Sequence, residues 1–221
     1  MMAIHQPDII KWRDDVPIST RFGDPYYSVD NGLAESAHVF LKGNRLPDRF
    51  VSGFHIAELG FGTGLNLLVA LDSWRQSGMH GALRYTSFEA YPLSSTQMIK
   101  AHRGFRKMHA LAAELAPEWD TQIRRPDLEF NLIVGDARDT LKSWDGEVDA
   151  WFLDGFSPAK NPEIWEHPLL SQVGKHTKFG GTFATYTAAG FVRRSLQEAK
   201  FEVERTPGYG RKRHMTRGIK L

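Results

Sequence analysis

The spacing of hydrophobic residues changes repeatedly along the chain, from the short apolar runs typical of buried strands to the three-and-four spacing typical of helices. The first clear change follows the apolar residues 54–57, after which leucines and Trp74 recur at helical spacing. The pattern predicts strands near Phe54–Leu59, Leu83–Phe88, Leu128–Val134, Val148–Leu153, Gly181–Tyr186 and Phe201–Arg205, with the C-terminal residues as a further edge strand. The helices predicted between them are Thr63–Arg75, Ser94–Ala116, a short helix ending at Leu141, Pro168–Lys178 and Ala188–Ala199.

Strands that alternate with helices indicate an α/β fold with a mostly parallel, doubly wound, Rossmann-like sheet. The run Val148–Leu153 is continuously apolar, as expected of a strand that is buried on both faces. The first fifty residues are rich in turn residues and predict a hairpin near Pro17–Tyr27 and a helix near Leu33–Leu41. We therefore expect a small N-terminal appendage over residues 1–50 and the sheet domain over residues 51–221.

The sequence ELGFGTGLNL, residues 58–67, places three alternating glycines at the predicted turn between the first sheet strand and its helix. Glycine tolerates positive φ and has no Cβ, so a ligand can lie directly against the backbone there. A turn of this kind in front of a helix is where α/β proteins hold nucleotide-like cofactors.

Four acidic residues, Glu58, Glu89, Asp136 and Asp154, lie near the C-terminal ends of successive predicted strands. In open α/β sheets the ligand lies beyond that edge. Glu89 can accept hydrogen bonds from both hydroxyls of a ribose, Asp136 from an adenine amine, and Glu58 can meet a cationic centre. For Asp136 alone, an N-cap is an equally good interpretation.

Converging carboxylates disfavour a pyrophosphate and favour S-adenosyl-L-methionine, which has no phosphate and carries a net positive charge. The glycine spacing also differs from the G-x-G-x-x-G of dinucleotide sites. The predicted cofactor-binding residues are Glu58, Gly60, Phe61, Gly62, Gly64, Asn66, Glu89, Asp136, Ala137 and Asp154.

Composition narrows the class of protein further. The chain has 221 residues, is 41% hydrophobic and contains no cysteine, which is enough for one sizeable core and excludes disulfides, thiolate zinc sites and cysteine nucleophiles. No apolar run approaches the ~18 residues of a membrane helix, and the N-terminus lacks a signal-peptide core. We expect a cytoplasmic protein without a membrane partner. The nine histidines show no ligand spacing, so we expect no metal site.

The net charge is only +2, but the basic residues are unevenly distributed. The segment from Arg205 to Leu221 carries six basic residues and no acid, and Ala90–Ala113 is a second acid-free stretch with four. Local positive charge attracts polyanions such as nucleic acid, although ordinary solvated surfaces are an equal alternative on composition alone.

The other dense cluster is DAWFLDGFSPAKNPEIW, residues 149–165, which follows the fourth predicted strand. Amino-group methyltransferases hold the acceptor nitrogen here with an acid or amide, prolines and an aromatic residue. The alternative is a proline-rich turn with a packed Phe156 and Trp165.

Several strings of the chain resemble the methyltransferase domain of the bacterial bifunctional tRNA wobble-uridine modification proteins (MnmC-type). They are ELGFGTGLNL, SFEAYPL at 87–93, VDAWFLDGFSPAKNPEIW, GGTFATYTAAGFVRRSLQEAKF at 180–201, GYGRKRHM at 208–215 and YYSVDNGLAESAHVFL at 26–41. The resemblance runs from about residue 10 to the C-terminus. It implies a class I S-adenosylmethionine-dependent methyltransferase that converts 5-aminomethyl-2-thiouridine at the tRNA wobble position to 5-methylaminomethyl-2-thiouridine. The family's usual form also carries an FAD-dependent oxidase domain after the methyltransferase domain. Because the sequence stops soon after GRKRHM, we expect either a free-standing protein or an excised domain, with a separate FAD-dependent oxidase as a candidate partner.

A mechanism for this reaction can be formulated as a hypothesis from residues of the second cluster. An alkylamine has a reference pKa of ~10.4, so only about one in a thousand is neutral at pH 7, and Asp154 is the residue expected to take or orient the amine proton. Phe156 would stack on the flipped-out base and Pro158 would stiffen the loop. Residues expected to contact phosphates of the tRNA anticodon stem-loop are Lys160, Arg193, Arg211, Lys212 and Arg213, the last three on a flexible basic arm. Asn31, Gly32 and Glu35 would line the cofactor pocket.

Three other interpretations stay open on the sequence. The first is a methyltransferase of the same fold acting on a small amine or on a protein. The second is a nicotinamide-dependent dehydrogenase, which would need the third glycine one residue later. The third is a tRNA-binding module that has lost its activity.

Overall fold

The computed structural model describes residues 9–28, 31–119 and 122–221. Residues 1–8 of the predicted appendage, and Val29 and Asp30 of the string at 26–41, lie outside the described residues. The N-terminal part forms a three-stranded sheet and a short helix. Its elements are β1 (Ile10–Arg13), β2 (Val16–Ser19), β3 (Asp24–Pro25) and α1 (Gly32–Ser36), which a π-helix, Ala37–Lys42, continues. The division at residue 50 stays a prediction.

The remaining strands form one eight-stranded sheet in the order β10-β11-β9-β8-β4-β5-β7-β6. Its strands are β4 (His55–Leu59), β5 (Leu83–Glu89), β6 (Ile123–Arg125), β7 (Leu128–Val134), β8 (Val148–Leu153), β9 (Thr177–Thr185), β10 (Phe201–Pro207) and β11 (His214–Lys220). The five central strands, β7, β5, β4, β8 and β9, are parallel, whereas β6, β10 and β11 pair antiparallel with their neighbours. The predicted α/β class with a mostly parallel, doubly wound sheet is therefore confirmed.

Helices cover both faces of this sheet. They are α2 (Leu65–Gln76), α3 (Ser95–Ala101), α4 (His109–Leu115), α5 (Ala137–Ser143), α6 (His167–Lys175) and α7 (Gly190–Glu198). Along β8, Phe152 packs into one hydrophobic cluster, while Trp151 and Leu153 pack into the cluster on the opposite face. Because both faces of β8 are buried, its sequence is continuously apolar instead of alternating.

Strand β4 lies between β5 and β8, and the chain winds outward in opposite directions from it. This is the switch point of a doubly wound sheet, where a crevice opens beyond the carboxyl ends of the strands. The turn from β4 into α2 and the segments that follow β5, β7 and β8 all meet at this crevice.

Several predicted elements differ from the observed ones. The helix predicted over Ser94–Ala116 is divided into α3, a 3₁₀ turn at Arg106–Met108 and α4, and the interruption contains Gly104, a poor helix former. Strand β6 was not predicted from the sequence. Both C-terminal strands were predicted at the edge of the sheet, but only β10 lies there, whereas β11 lies inside the sheet between β9 and β10.

Candidate active site

A cavity of about 630 Å³ opens at the carboxyl edge of β4, β5 and β8. This volume is within the ~300–1,000 Å³ typical of small-molecule sites. The wall combines the sheet edge with the N-terminal appendage, because residues of the β2–β3 turn and of α1 face the turn between β4 and α2. The predicted appendage therefore contributes to the site.

The glycine turn presents bare backbone to this cavity. Gly60, Gly62 and Gly64 have φ values of +80°, +54° and +76°, a region that L side chains rarely adopt. A Cβ on Gly60 would lie 3.0 Å from the Cα of Gly155, so the β4 turn and the β8 turn approach each other backbone to backbone. Gly60 and Gly62 line the cavity, and side chains at the three glycine positions would distort the turn.

Glu89, at the end of β5, holds the glycine turn in place. Its Oε2 accepts from the amide of Gly62 at 3.0 Å, and its Oε1 accepts from the amide of Tyr91 at 2.7 Å. The carboxylate also lines the cavity and is only half-buried. It can therefore anchor the turn and accept from ligand hydroxyls through its remaining lone pairs.

Asp136 is the N-cap of α5. One oxygen accepts from the amide of Arg138 at 2.9 Å, and the carboxylate forms an ion pair with the Arg138 guanidinium at 2.6 Å. Both side chains lie on the cavity wall beside Ala137. The capping interpretation, which the sequence left open, describes the local structure, and the position at the wall still allows contact with a ligand.

The most enclosed part of the site is a chain of three side chains, Glu58, Asn66 and Asp154. The Asn66 amide nitrogen donates to Oε1 of Glu58 at 2.9 Å and to Oδ2 of Asp154 at 2.7 Å. Glu58 is fully buried, accepts from the Ser87 hydroxyl at 2.8 Å and does not line the cavity. The position of Glu58 differs from the sequence expectation, because Asn66 separates it from the space a ligand can reach.

Burial controls the ionisation of both acids. It raises the pKa of Glu58 well above its ordinary value, and the hydrogen bonds from Asn66 and Ser87 only partly oppose this effect. It raises the pKa of Asp154 to about 6, against the hydrogen bonds from Asn66 and from the backbone amide of Gly155. Asp154 is thus an ionised acceptor at neutral pH that titrates just below it.

Aromatic rings cover the outer part of the cavity. Phe156 is stacked on Phe22, with centroids 4.7 Å apart, and Tyr26 packs edge-on against Phe156 at 5.0 Å. Tyr91 lies 6.2 Å from Phe22, and the guanidinium of Arg21 is 4.1 Å above the Tyr91 ring. Only Phe156 was predicted from the sequence. For Phe22 and Tyr26, the available signal was the concentration of aromatic residues in the turn-rich segment at 22–27.

Lys212 lies at the cavity wall and not on a flexible arm. The residues around it form the hydrogen-bonded turn between β10 and β11, in which Gly208 N donates to Arg213 O at 3.1 Å. Lys212 Nζ forms an ion pair with Glu35 of α1 at 2.8 Å and lies 4.1 Å from the centroid of the Tyr186 ring. This contact joins the appendage to the C-terminal hairpin across the cavity.

The structure brings most of the predicted site residues together. Those on the cavity wall are Gly60, Phe61, Gly62, Asn66, Glu89, Asp136, Ala137, Asp154, Phe156 and Lys212, together with Gly32 and Glu35. Those that do not line it are Glu58, Gly64, Pro158, Lys160, Arg193, Arg211 and Arg213, of which Gly64 is the N-cap of α2.

Within residues 9–28, 31–119 and 122–221, no cluster of three or more histidine or acidic side chains could hold a metal ion. None of the helices in these segments is long and apolar enough to cross a bilayer.

The curated proteins to which this chain is similar include several that share one name. The tRNA 5-methylaminomethyl-2-thiouridine biosynthesis bifunctional protein MnmC of Pseudoalteromonas atlantica is 44% identical over 239 residues, covering 99% of this chain and 34% of the relative. The protein of the same name from Caulobacter vibrioides is 43% identical over 219 residues, covering 94% of this chain and 37% of the relative. The chain therefore spans about a third of the length of the curated relatives it matches.

Solved structures agree on the fold. MNMC2 from Aquifex aeolicus matches with a TM-score of 0.78 and 28% identity, covering 97% of this chain and 71% of that one. A probable spermidine synthase from Corynebacterium glutamicum has a TM-score of 0.53 at 16% identity over 96% of this chain and 76% of its own, which shows a likeness of fold alone.

A family model described as an S-adenosyl-L-methionine-dependent methyltransferase matches residues 102–221, more than half of the chain. The match includes Asp136, Asp154 and Phe156 of the cavity wall. The chain belongs to this family of S-adenosyl-L-methionine-dependent methyltransferases.

Proposed function

We propose that this chain methylates the exocyclic aminomethyl nitrogen of 5-aminomethyl-2-thiouridine at the wobble position of tRNA, giving 5-methylaminomethyl-2-thiouridine. The observation that carries the proposal is the position of Asp154, which is held by Asn66 between the glycine turn and the aromatic wall of one cavity. The names of the relatives, which refer to biosynthesis of 5-methylaminomethyl-2-thiouridine in tRNA, support the same substrate.

The cavity fits S-adenosyl-L-methionine. The backbone of Gly60 and Gly62 lines the cavity, so the ligand can lie directly against it, and a Cβ at position 60 would crowd the Gly155 backbone at 3.0 Å and distort the turn. We propose that the half-buried carboxylate of Glu89 accepts from the ribose hydroxyls, and that Asp136 and Ala137 lie against the adenine. When bound, the cofactor supplies an electrophilic methyl group.

Asp154 would serve the acceptor nitrogen. Methylation requires the nitrogen lone pair, yet an alkylamine with a reference pKa of ~10.4 is almost entirely protonated at neutral pH. The raised pKa of Asp154, about 6, makes its carboxylate a stronger base than an ordinary aspartate while leaving it ionised at pH 7, so it can accept the proton that the nitrogen gives up. Alignment would provide most of the acceleration, since near-attack positioning contributes ~7–11 kcal/mol in well-oriented reactions.

The aromatic wall would bind the base. In RNA recognition, an unstacked base commonly lies against aromatic rings. One face of Phe156 is already covered by Phe22, so we propose that the base uses the wall formed by Phe156, Tyr26 and Tyr91 instead of Phe156 alone. Pro158 lies outside the cavity wall, where it can stiffen the loop as proposed.

The proposal is tested by incubating the protein with methyl-labelled S-adenosyl-L-methionine and tRNA from cells that lack this activity. We expect label in the wobble nucleoside, and its loss in Asp154→Asn with little change in cofactor affinity. Asp149→Asn is the matched control, because Asp149 lies in β8, the strand that Asp154 directly follows, but binds Lys178 at 2.8 Å and the amide of His55 away from the cavity. Label on free amines or proteins and none on tRNA would contradict the proposal.

A further inference from the structure

A second feature beside the cavity is a group of cations on α3, on the turn that follows it and on the 3₁₀ turn before α4. The group consists of Lys100, Arg103, Arg106 and Lys107, here named the α3–α4 basic surface. Arg103, Arg106 and Lys107 are exposed. Among the described residues, none of the four forms an ion pair with an acid.

The neighbouring arginines behave differently. Arg75 pairs with Glu114 at 2.7 Å and with Asp127 at 2.6 Å, and Arg125 pairs with Glu114 at 2.7 Å and with Glu118 at 2.6 Å. Each of these two arginines near the far end of α4 is therefore paired with two acids, and Glu114 pairs with both. The contrast follows the sequence, because residues 90–113 contain no acid at all. The four cations lie in the middle of this acid-free segment, whose first residues, Ala90 and Tyr91, line the cavity.

Tyr27 links the basic surface to the cavity. Its ring lines the cavity, its hydroxyl donates to the carbonyl of Ala101 at 2.6 Å, and it packs edge-on against Phe105 with centroids 5.1 Å apart. The exposed cation of Arg103 follows Ala101 by two residues. A single side chain, that of Tyr27, therefore contacts both the cavity and the segment that carries the basic surface.

Two cations of this region lie over aromatic rings. Lys100 Nζ lies 3.9 Å from the centroid of the Trp12 ring in β1, and the guanidinium of Arg21 lies over Tyr91 at the cavity wall. A cation–π contact holds each cation in place without neutralising its charge. Since Arg21 itself lines the cavity, one of these cations is available at the site where the base would enter.

We propose that the α3–α4 basic surface binds the phosphodiester backbone of the RNA strand whose base enters the cavity. This inference rests on the proposed function, because it takes an RNA as the substrate. Unpaired cations release counterions from a phosphate backbone on contact, and the planar guanidinium of arginine suits phosphate oxygens. The C-terminal hairpin fits this role less well, since Lys212 is already paired with Glu35.

The test compares binding of bulk tRNA to the wild type and to Arg103→Gln/Arg106→Gln/Lys107→Gln over a range of salt concentrations. Each lost phosphate contact lowers the slope of log affinity against log salt by about 0.7. We expect the slope to fall by about 2 and the affinity to weaken on the order of 10- to 100-fold at ~0.1 M salt. Binding of S-adenosylhomocysteine, measured by calorimetry, should not change.

The matched control removes the same charge from exposed cations of α6, α7 and the turn after α7, in the variant Lys175→Gln/Arg194→Gln/Lys200→Gln. It should bind tRNA like the wild type. A charge-preserving variant, Arg103→Lys/Arg106→Lys, should retain most of the affinity for tRNA. This result would show that the glutamine variant loses affinity because it loses charge and not because it misfolds.

The inference is overturned if both triple variants lose tRNA affinity equally, which would indicate net charge alone. It is also overturned if Arg211→Gln/Arg213→Gln loses affinity while the variant of the α3–α4 basic surface does not. An assay of methyl transfer to tRNA distinguishes a failure of this inference from a failure of the proposed function. A wild type that methylates the wobble nucleoside, with normal binding by the α3–α4 variant, refutes only the inference. A wild type that binds with the expected salt dependence but transfers no methyl group refutes only the proposed function.

Discussion

Replacing Asn66 with leucine removes the amide that joins the two buried acids while keeping a side chain of similar size. The amide nitrogen donates to Glu58 at 2.9 Å and to Asp154 at 2.7 Å, and the amide oxygen accepts from the hydroxyl of Ser36. After the change, Glu58 keeps the hydrogen bond from Ser87, and Asp154 keeps that from the following backbone amide. Both carboxylates would lose a donor that favours their ionised forms.

The size of the effect follows from these two contacts. A hydrogen bond to a charged group contributes about 1.5–3 kcal/mol, but a proton taken up by Glu58 would offset part of the loss. We therefore expect the free energy of unfolding to fall by about 2–4 kcal/mol, which lowers Tm by ~5–15 °C in a chain of this length. The pKa of Asp154, about 6 in the wild type, should rise by roughly one unit, equivalent to ~1.4 kcal/mol.

The assay is the pH dependence of kcat/KM for tRNA between about pH 5 and pH 8.5. The wild-type profile should break near pH 6, because protonated Asp154 cannot accept the amine proton below that value. In Asn66→Leu the break should move to about pH 7, so the activity loss at pH 6.5 exceeds that at pH 8.

Asn44→Leu is the matched control. Asn44 is fully buried, and its amide nitrogen donates to the carbonyls of Phe40 at 2.9 Å and Trp151 at 3.2 Å. The variant should lose comparable stability without moving the break. The reasoning is refuted if the break stays near pH 6 in Asn66→Leu, or if Asn44→Leu moves it as far.

Three further predictions address the cavity and its support. Glu89→Ala should weaken S-adenosylhomocysteine binding on the order of 10- to 100-fold in calorimetry, because the ribose acceptor is lost; unchanged affinity would exclude this role. Gly60→Ala should cost ~2–4 kcal/mol of stability and impair cofactor binding, whereas Gly53→Ala, with φ +72° but open space around its Cβ, should cost only about 1 kcal/mol. Glu58→Gln should be more stable than the wild type at pH 8 but not at pH 4 in urea titrations. A raised folded-state pKa means that the wild type loses stability as pH rises above the unfolded value, so a pH-independent difference would contradict the assignment.

Local patterns of hydrophobic residues were sufficient to predict the parallel strands of the sheet. Strands β7 and β8 were predicted with the observed bounds, because their apolar runs end at clear turn residues. The position of β11 was not predictable in this way, since Thr216 pairs with Thr185 of β9 and Phe201 of β10 pairs with Lys220 of β11. Pairing between distant segments leaves no periodic signal in either of them.

The same limit applies to the site. Asp154 and the glycine turn were identified because strand-end acids and alternating glycines are local features of the sequence. The sequence did not predict that Glu58 is separated from the cavity. This separation results from Asn66, whose amide donates to both Glu58 and Asp154 in the folded protein. The ion pair between Lys212 and Glu35 joins opposite ends of the chain, so it could not be predicted from local sequence patterns.

A crystal structure of the protein with S-adenosylhomocysteine tests the central claim most directly. The account predicts the ligand in the cavity above the glycine turn, with its ribose hydroxyls on the Glu89 carboxylate and its sulfur on the side of the cavity that holds Asp154. A ligand bound elsewhere, or a cavity closed by side chains in crystals that contain the ligand, would contradict it.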